Sequence, residues 1–182
     1  MKRLAPALCM LCSLTAAAGQ VSRAEVSHDK GTYHLLLDVE LNADLAPVYA
    51  IATDFENLYR ISPTIIESAR LPSPGPGLER RKMVLRTCIL FFCFDADFVE
   101  DAELVGHTII TTIVPEQSDF KSGRTTWEMS SRGPGLSRIV LETKVVPAFW
   151  IPPVIGPWLI KKKMMEEGRV TIERIEELAS HG

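Results

Sequence analysis

The sequence predicts an α+β fold: a curved antiparallel sheet of seven strands wrapped around a long C-terminal helix. Three observations predict it. Residues 33–41 alternate apolar and polar, six further strand-like runs follow between residues 65 and 146, and one long helical pattern closes the chain after Pro157. A sheet with one wet face must cover the other. The terminal helix is the one large apolar element left to do so.

The 182 residues, 46% hydrophobic and 24% charged, suit one globular domain with a full core. Residues 1–24 read as a secretory signal peptide. Lys2 and Arg3 form a basic start, Leu4 to Ala18 carries no charge, and small residues precede two cutting points, after Ala18 and after Ala24. The apolar run is shorter than the roughly 20 residues a spanning helix needs. The expected domain is therefore 25–182, exported to the periplasm or secreted.

Losing 1–24 removes Lys2, Arg3 and Arg23 and no acid, so the net charge moves from −3 to about −6. A nucleic-acid groove needs a basic face, so nucleic acid is excluded as a partner. Of four cysteines, Cys9 and Cys12 leave with the leader. Cys88 and Cys93 remain as an even pair in an oxidising compartment, which favours a disulfide. No second pair at ligand spacing follows, so neither a metal nor another cofactor is expected.

Tyr33, Leu35, Leu37, Val39 and Leu41 alternate with His34, Leu36, Asp38 and Glu40, the pattern of a half-buried strand. Asp44 is a candidate N-cap, with Pro47 in the first turn and Val48, Ile51, Ala52, Phe55 and Leu58 at helical spacing. That helix should end before Pro63. A short strand is predicted at 65–71, ended by the Pro/Gly stretch 72–77. Five strands then follow at about 79–89, 93–104, 107–115, 123–130 and 136–146, in an antiparallel meander with short breaks. In the tail, Ile160, Met164, Gly168, Ile172, Ile175 and Ala179 form one stripe.

This order, with the run Asp54-Phe55-Glu56-Asn57-Leu58-Tyr59-Arg60-Ile61-Ser62-Pro63, resembles the START-like superfamily, also called SRPBCC or polyketide cyclase/dehydrase, and within it the ubiquinone-binding branch. The resemblance spans about residues 30–180. It implies a helix-grip fold with an apolar cavity between sheet and long helix. It leaves function open, because the fold hosts carriers, cyclases and hydrolases.

Period-two counting gives the inward positions. On the strands these are Met83, Leu85, Phe94, Ala96, Phe98 and Ile109, then Ile113, Trp127, Met129, Ile139 and Leu141; Met164, Gly168 and Ile172 face them from the helix. Periodicity alone makes these a packed core, and the resemblance is what implies a cavity among them. In a meander, the connections at 88–93, 116–123 and 147–157 fall at one end of the sheet. Two of them are apolar: Ile89, Leu90, Phe91 and Phe92 between the cysteines, and Phe149, Trp150, Ile151 and Trp158 beside Lys161-Lys162-Lys163. Aromatic rings next to lysines suit a membrane interface. The alternative is that the rings cap the core beneath the helix start.

Acids at 95, 97, 100, 101 and 103 look like a paired-carboxylate site in the letters, but the run reads as a solvated face. No histidine has a nucleophile partner in view, so no catalytic residues are assigned. The leading expectation is a monomer that binds, without catalysis, an apolar small molecule or lipid and touches a membrane peripherally. Two alternatives stay open: a cyclase or aromatase acting in the same cavity, and a module that docks a protein through 149–158.

Overall fold

The computed structural model describes residues 19–89, 92–151 and 156–181. The strands are β1 (Gln20–Asp29), β2 (Thr32–Leu41), β3 (Ile65–Leu71), β4 (Leu78–Ile89), β5 (Phe92–Val105), β6 (Thr108–Ile113), β7 (Phe120–Gly133) and β8 (Leu136–Pro147). The helices are α1 (Leu45–Ala52) and α2 (Gly156–Ser180), with 3-10 turns at Leu58–Arg60 and Pro115–Gln117. All eight strands form one antiparallel sheet in the order β1-β2-β8-β7-β6-β5-β4-β3. The predicted meander is present, and α2 lies across the concave face.

The strand count differs from the expectation by one. β1 precedes the seven predicted strands and pairs with β2 through a two-residue turn in which Lys30 and Gly31 both adopt positive φ, 46° and 87°. Half of β1, Gln20 to Ala24, lies within the stretch read as the leader. Its side chains are almost all exposed, so no apolar alternation announces it.

β2 shows the alternation in full: Tyr33, Leu35, Leu37, Val39 and Leu41 are buried. On its other face the Asp38 carboxylate takes a two-pronged bond from Arg138 (Nε to Oδ1 2.6 Å, Nη2 to Oδ2 2.5 Å). This bond holds the Asp38 pKa below its ordinary value. Stability from the pair is therefore present above the unfolded carboxylate pKa of about 3.9 and is lost as pH falls through the lower folded value. Asp38→Asn is expected to flatten the acid side of a plot of urea midpoint against pH, below about pH 4.

Helix α1 is shorter than predicted. Asp44 precedes it, but its carboxylate accepts no bond from the helix's own N–H groups and instead takes the N–H of Gly135 at 2.8 Å. The cap residue thus ties α1 to the β7–β8 turn. Phe55 and Leu58, predicted as helical, are buried through the turn that follows, where Asn57 Nδ2 bonds both Asp54 oxygens at 3.0 and 2.9 Å.

Helix α2 buries Gly168, Ile172 and Ile175. A Cβ added at Gly168 would sit 2.5 Å from Leu37 Cδ1 and 3.3 Å from Leu35 Cδ2. The mid-helix glycine is there for close approach of α2 to β2, which outweighs its intrinsic helix penalty of about 1 kcal/mol. Gly168→Leu is expected to lift the helix and destabilise the protein by about 1–3 kcal/mol, read by urea unfolding.

Candidate functional site: an aromatic-mouthed cavity under the terminal helix

The connections predicted to share one end meet in part of their described residues, beside β5. Asp119 N–H donates to Asp97 O at 2.8 Å, Ala148 N–H to Asp119 O at 3.0 Å, and Phe120 pairs with Pro147. Phe149 is thereby brought against Phe94 (ring centroids 5.2 Å apart) and Phe120 (5.7 Å), and Phe120 meets Phe98 at 4.8 Å. All these pairs meet edge to face, a favoured aromatic geometry.

Below these rings lies a cavity of about 240 Å³. Leu85, Phe94, Ala96, Phe120, Val145 and Phe149 line it from the sheet side, and Leu159, Ile160 and Met164 from α2. Its polar groups are few: Tyr33, Thr64, Lys163 and Glu167. Burial pushes the Tyr33 phenol pKa upward, so at neutral pH it stays an uncharged donor. Glu167 Oε2 accepts the hydroxyls of Thr64 (2.9 Å) and Ser62 (3.3 Å), which clamps α2 to the loop before β3.

A second, inner cavity of about 160 Å³ abuts the first, sharing Thr64 and Leu85. Leu58, Ile61, Met83 and Trp127 line it, and Arg81 enters its wall. Arg81 and Glu100 stand opposite each other on β4 and β5, 7% and 1% exposed. Arg81 Nε and Nη2 donate to Glu100 Oε2 (3.0 and 2.6 Å), and Thr111 Oγ1 donates to Oε1 at 2.7 Å. The guanidinium also lies 4.8 Å from the centre of the Phe55 ring, a cation–π contact. Mostly apolar walls with a few polar groups, the Arg81 charge among them compensated, suit a molecule that is mostly hydrocarbon with few polar functions.

The nominated residues fall into three groups. Met83, Leu85, Phe94, Ala96, Trp127 and Met164 line one or both cavities. Ile109, Ile113, Met129, Ile139 and Leu141 are buried in the packed core, Phe98 is half-buried against Phe120, and Gly168 is closed off by Leu37. Ile172 is buried in the core and touches the floor of a separate groove on the β1 side of α2. That groove is larger, about 550 Å³, with Val21, Ala24, Leu37, Val39 and Met165 beside Ile172 and a border of Lys162, Glu166, Arg169, Glu173 and Glu176. None of the aromatic cluster lines it.

At the rim, Phe149 lines the outer cavity, Ile151 is half-buried, and Trp150 and Trp158 are 79% and 65% exposed. The two tryptophans are chain neighbours of the cavity-lining Phe149 and Leu159. Lys162 Nζ sits 5.9 Å from the centre of the Trp158 ring. The cysteines form the predicted disulfide, Cys88–Cys93, across the ends of β4 and β5. Ile89 and Phe92 pair beyond it as strand residues, while their side chains, like all of Leu90 and Phe91, lie outside the described residues. So short a loop gives a disulfide only about 2 kcal/mol. Cys88→Ser is expected to lower stability by no more than that, measured by urea unfolding under non-reducing conditions.

The acidic run on β5 divides by face. Asp95, Asp97 and Asp101 point outward to Arg86 (2.7 Å), Lys82 (2.8 Å) and Arg80 (2.6 Å) on β4. Hydrogen bonding to Arg86 holds the Asp95 pKa low. Glu100 departs from the expected solvated face. It shares the inward parity of Phe94, Ala96 and Phe98, and Arg81 compensates its charge. Phe120 and Tyr33 also line the cavity, beyond the inward positions predicted above. Phe120 sits in a stretch read as a break, although it already belongs to β7.

No family model matches the chain, and no curated protein matches its sequence. Solved structures do match in shape. A START superfamily protein from Mycobacterium smegmatis superimposes with a TM-score of 0.65 over 81% of this chain and 97% of its own, at 18% identity. The Zhui aromatase/cyclase from a Streptomyces species does so at 0.60, covering 82% and 93%, with 12% identity. A STAR-related lipid transfer protein fragment from Xanthomonas axonopodis gives 0.57, 87% and 97%, with 14% identity. The chain therefore has the START-like helix-grip fold. Within that fold its own residues build two abutting apolar cavities, with an aromatic cluster at the mouth.

Proposed function

We propose that this protein is an exported carrier that binds an apolar, lipid-like molecule beneath α2 and exchanges it with a bilayer through the aromatic mouth. One observation carries the reading: the cavity lined by Phe94, Phe120 and Phe149 is also lined by Leu159 and Lys163, and the chain neighbours of Phe149 and Leu159 are two exposed tryptophans, Trp150 and Trp158. The two cavities together fall within the roughly 300–1,000 Å³ usual for small-molecule sites. Burial of ligand hydrocarbon, worth about 25 cal/mol per Å², supplies the affinity. Trp150 and Trp158 would enter the headgroup layer, with Lys161 to Lys163 meeting anionic lipid. No helix among the described residues is long and apolar enough to cross a membrane, so the contact proposed is peripheral. The lipid transfer and START neighbours are consistent with an apolar cargo.

The catalytic alternative draws on the aromatase/cyclase neighbour. Proton transfer needs a group with a free site facing the substrate. Among the described residues no histidine lines either cavity, both Glu100 oxygens are already bonded, and of the outer cavity's titratable groups, Tyr33, Lys163 and Glu167, the last is held by Thr64 and Ser62. Binding is therefore the better-supported reading.

Native mass spectrometry of the protein purified from its own cell envelope tests it. The expected result is a co-purifying apolar mass, lost on solvent extraction and regained from vesicles. Protein that emerges empty and takes up nothing from vesicles would end the carrier reading.

A further inference from the structure

We infer that the mature chain begins at Gly19, cut from the leader after Ala18, and that its new α-ammonium group is seated on Glu176 of α2. The inference rests on the export reading above and deepens it, since that reading left two cutting points open.

The first described residue is already held. Gly19 N donates to Glu176 Oε2 at 2.7 Å. The other oxygen, Oε1, accepts the backbone N–H of Asn42 at 2.8 Å and its side-chain Nδ2 at 2.9 Å. One carboxylate near the end of α2 thus gathers the start of β1 and the end of β2. The position also demands glycine, because an added Cβ at residue 19 would collide with the Glu40 carbonyl oxygen.

The two cutting points have opposite consequences for the fold. A cut after Ala24 would delete Gln20 to Ala24. These residues pair with β2 at Gln20–Glu40, Val21–Val39, Arg23–Asp38 and Ala24–Leu37. It would also strip Gly19, Val21 and Ala24 from the groove beside α2 and uncover the edge of β2 over residues 37–40. A cut after Ala18 keeps every one of these pairs. It also follows Ala16-Ala17-Ala18, the small-x-small pattern that a signal peptidase accepts.

In the uncut chain, Gly19 N is an amide with one hydrogen and no charge. Hydrolysis adds water across the Ala18–Gly19 amide. The carbonyl side leaves as the Ala18 carboxylate, and the nitrogen becomes a free amine, protonated near neutral pH because its ordinary pKa is about 7.7–8.0. The bond to Glu176, in which only the acceptor is charged, becomes an ion pair with both partners charged. Processing would therefore tighten the closure of β1 and β2 on α2.

Intact-mass analysis of the full-length precursor, expressed in an exporting bacterium, tests the cut. A mass for residues 19–182 is expected. A mass for 25–182 overturns this inference but leaves export standing. Uncut 1–182 in the cytosol overturns export and this inference together. The seat is tested on chain 19–182, with and without α-acetylation of Gly19. Glu176→Gln is expected to shift the unfolding equilibrium of the free-amine form roughly tenfold more than that of the acetylated form. An equal shift in both overturns the ammonium seat.

Discussion

Glu100→Ala is expected to destabilise the protein by about 3–5 kcal/mol, a large share of the 5–15 kcal/mol that typical domains possess. The reason is the partner it leaves behind. Arg81 is 7% exposed, so without Glu100 its guanidinium is left buried as an uncompensated cation. The Thr111 hydroxyl, fully buried, loses its acceptor as well. The triple replacement Arg81→Met, Glu100→Leu, Thr111→Val removes every member of the network at once. It is expected to recover most of the loss, because well-packed apolar groups often match a buried ion pair in stability. Urea unfolding of the single and triple variants checks both statements. A single-variant loss below about 1 kcal/mol would mean the pair behaves as a surface contact, against the burial described above.

That network was readable in the sequence, though not from its letters. Cys88 and Cys93 stand directly opposite each other on β4 and β5, so counting back from Cys88 and on from Cys93 in step pairs Arg81 with Glu100. The inward parity of Met83 and Leu85, and of Phe94, Ala96 and Phe98, then points both charges into the interior. The acidic neighbours of Glu100 mask that parity, because Asp95, Asp97 and Asp101 do face outward and the run as a whole reads as a solvated face. β1 hid for a different reason. An edge strand with one face solvated and the other mostly uncovered has no apolar rhythm, and its one local sign was the Lys30-Gly31 turn. β2 and α2 were legible because each buries one continuous face. The mouth was half legible. The meander placed its segments at one end, but period counting has no purchase on the proline-rich stretch 147–157. Whether its rings turn inward or outward was settled only in three dimensions: Phe149 turns in, while Trp150 and Trp158 stay out.

Those two outward rings carry the other large expected effect. The double variant Trp150→Ala, Trp158→Ala is expected to weaken binding to vesicles containing an anionic lipid such as phosphatidylglycerol by roughly a thousandfold. A tryptophan side chain buries about 150–250 Å², and withdrawing even 80 Å² of each ring from water at about 25 cal/mol per Å² is worth about 2 kcal/mol. Two such losses give about three decades in affinity. Folding should be untouched, because rings 79% and 65% exposed contribute little to the core, so the urea midpoint should match that of the parent chain. Salt separates the two parts of the contact. Raising ionic strength should erode the share due to Lys161, Lys162 and Lys163, worth about 1 kcal/mol each near an anionic surface, and leave the tryptophan share in place. Lys162 bridges both parts through its position near the Trp158 ring, so Trp158→Ala should also lower the salt sensitivity, whereas Trp150→Ala should not. Vesicle co-sedimentation across a salt series reads all of these at once. Binding by the double variant at the parent's affinity would remove the membrane from the proposal and leave only the cavity.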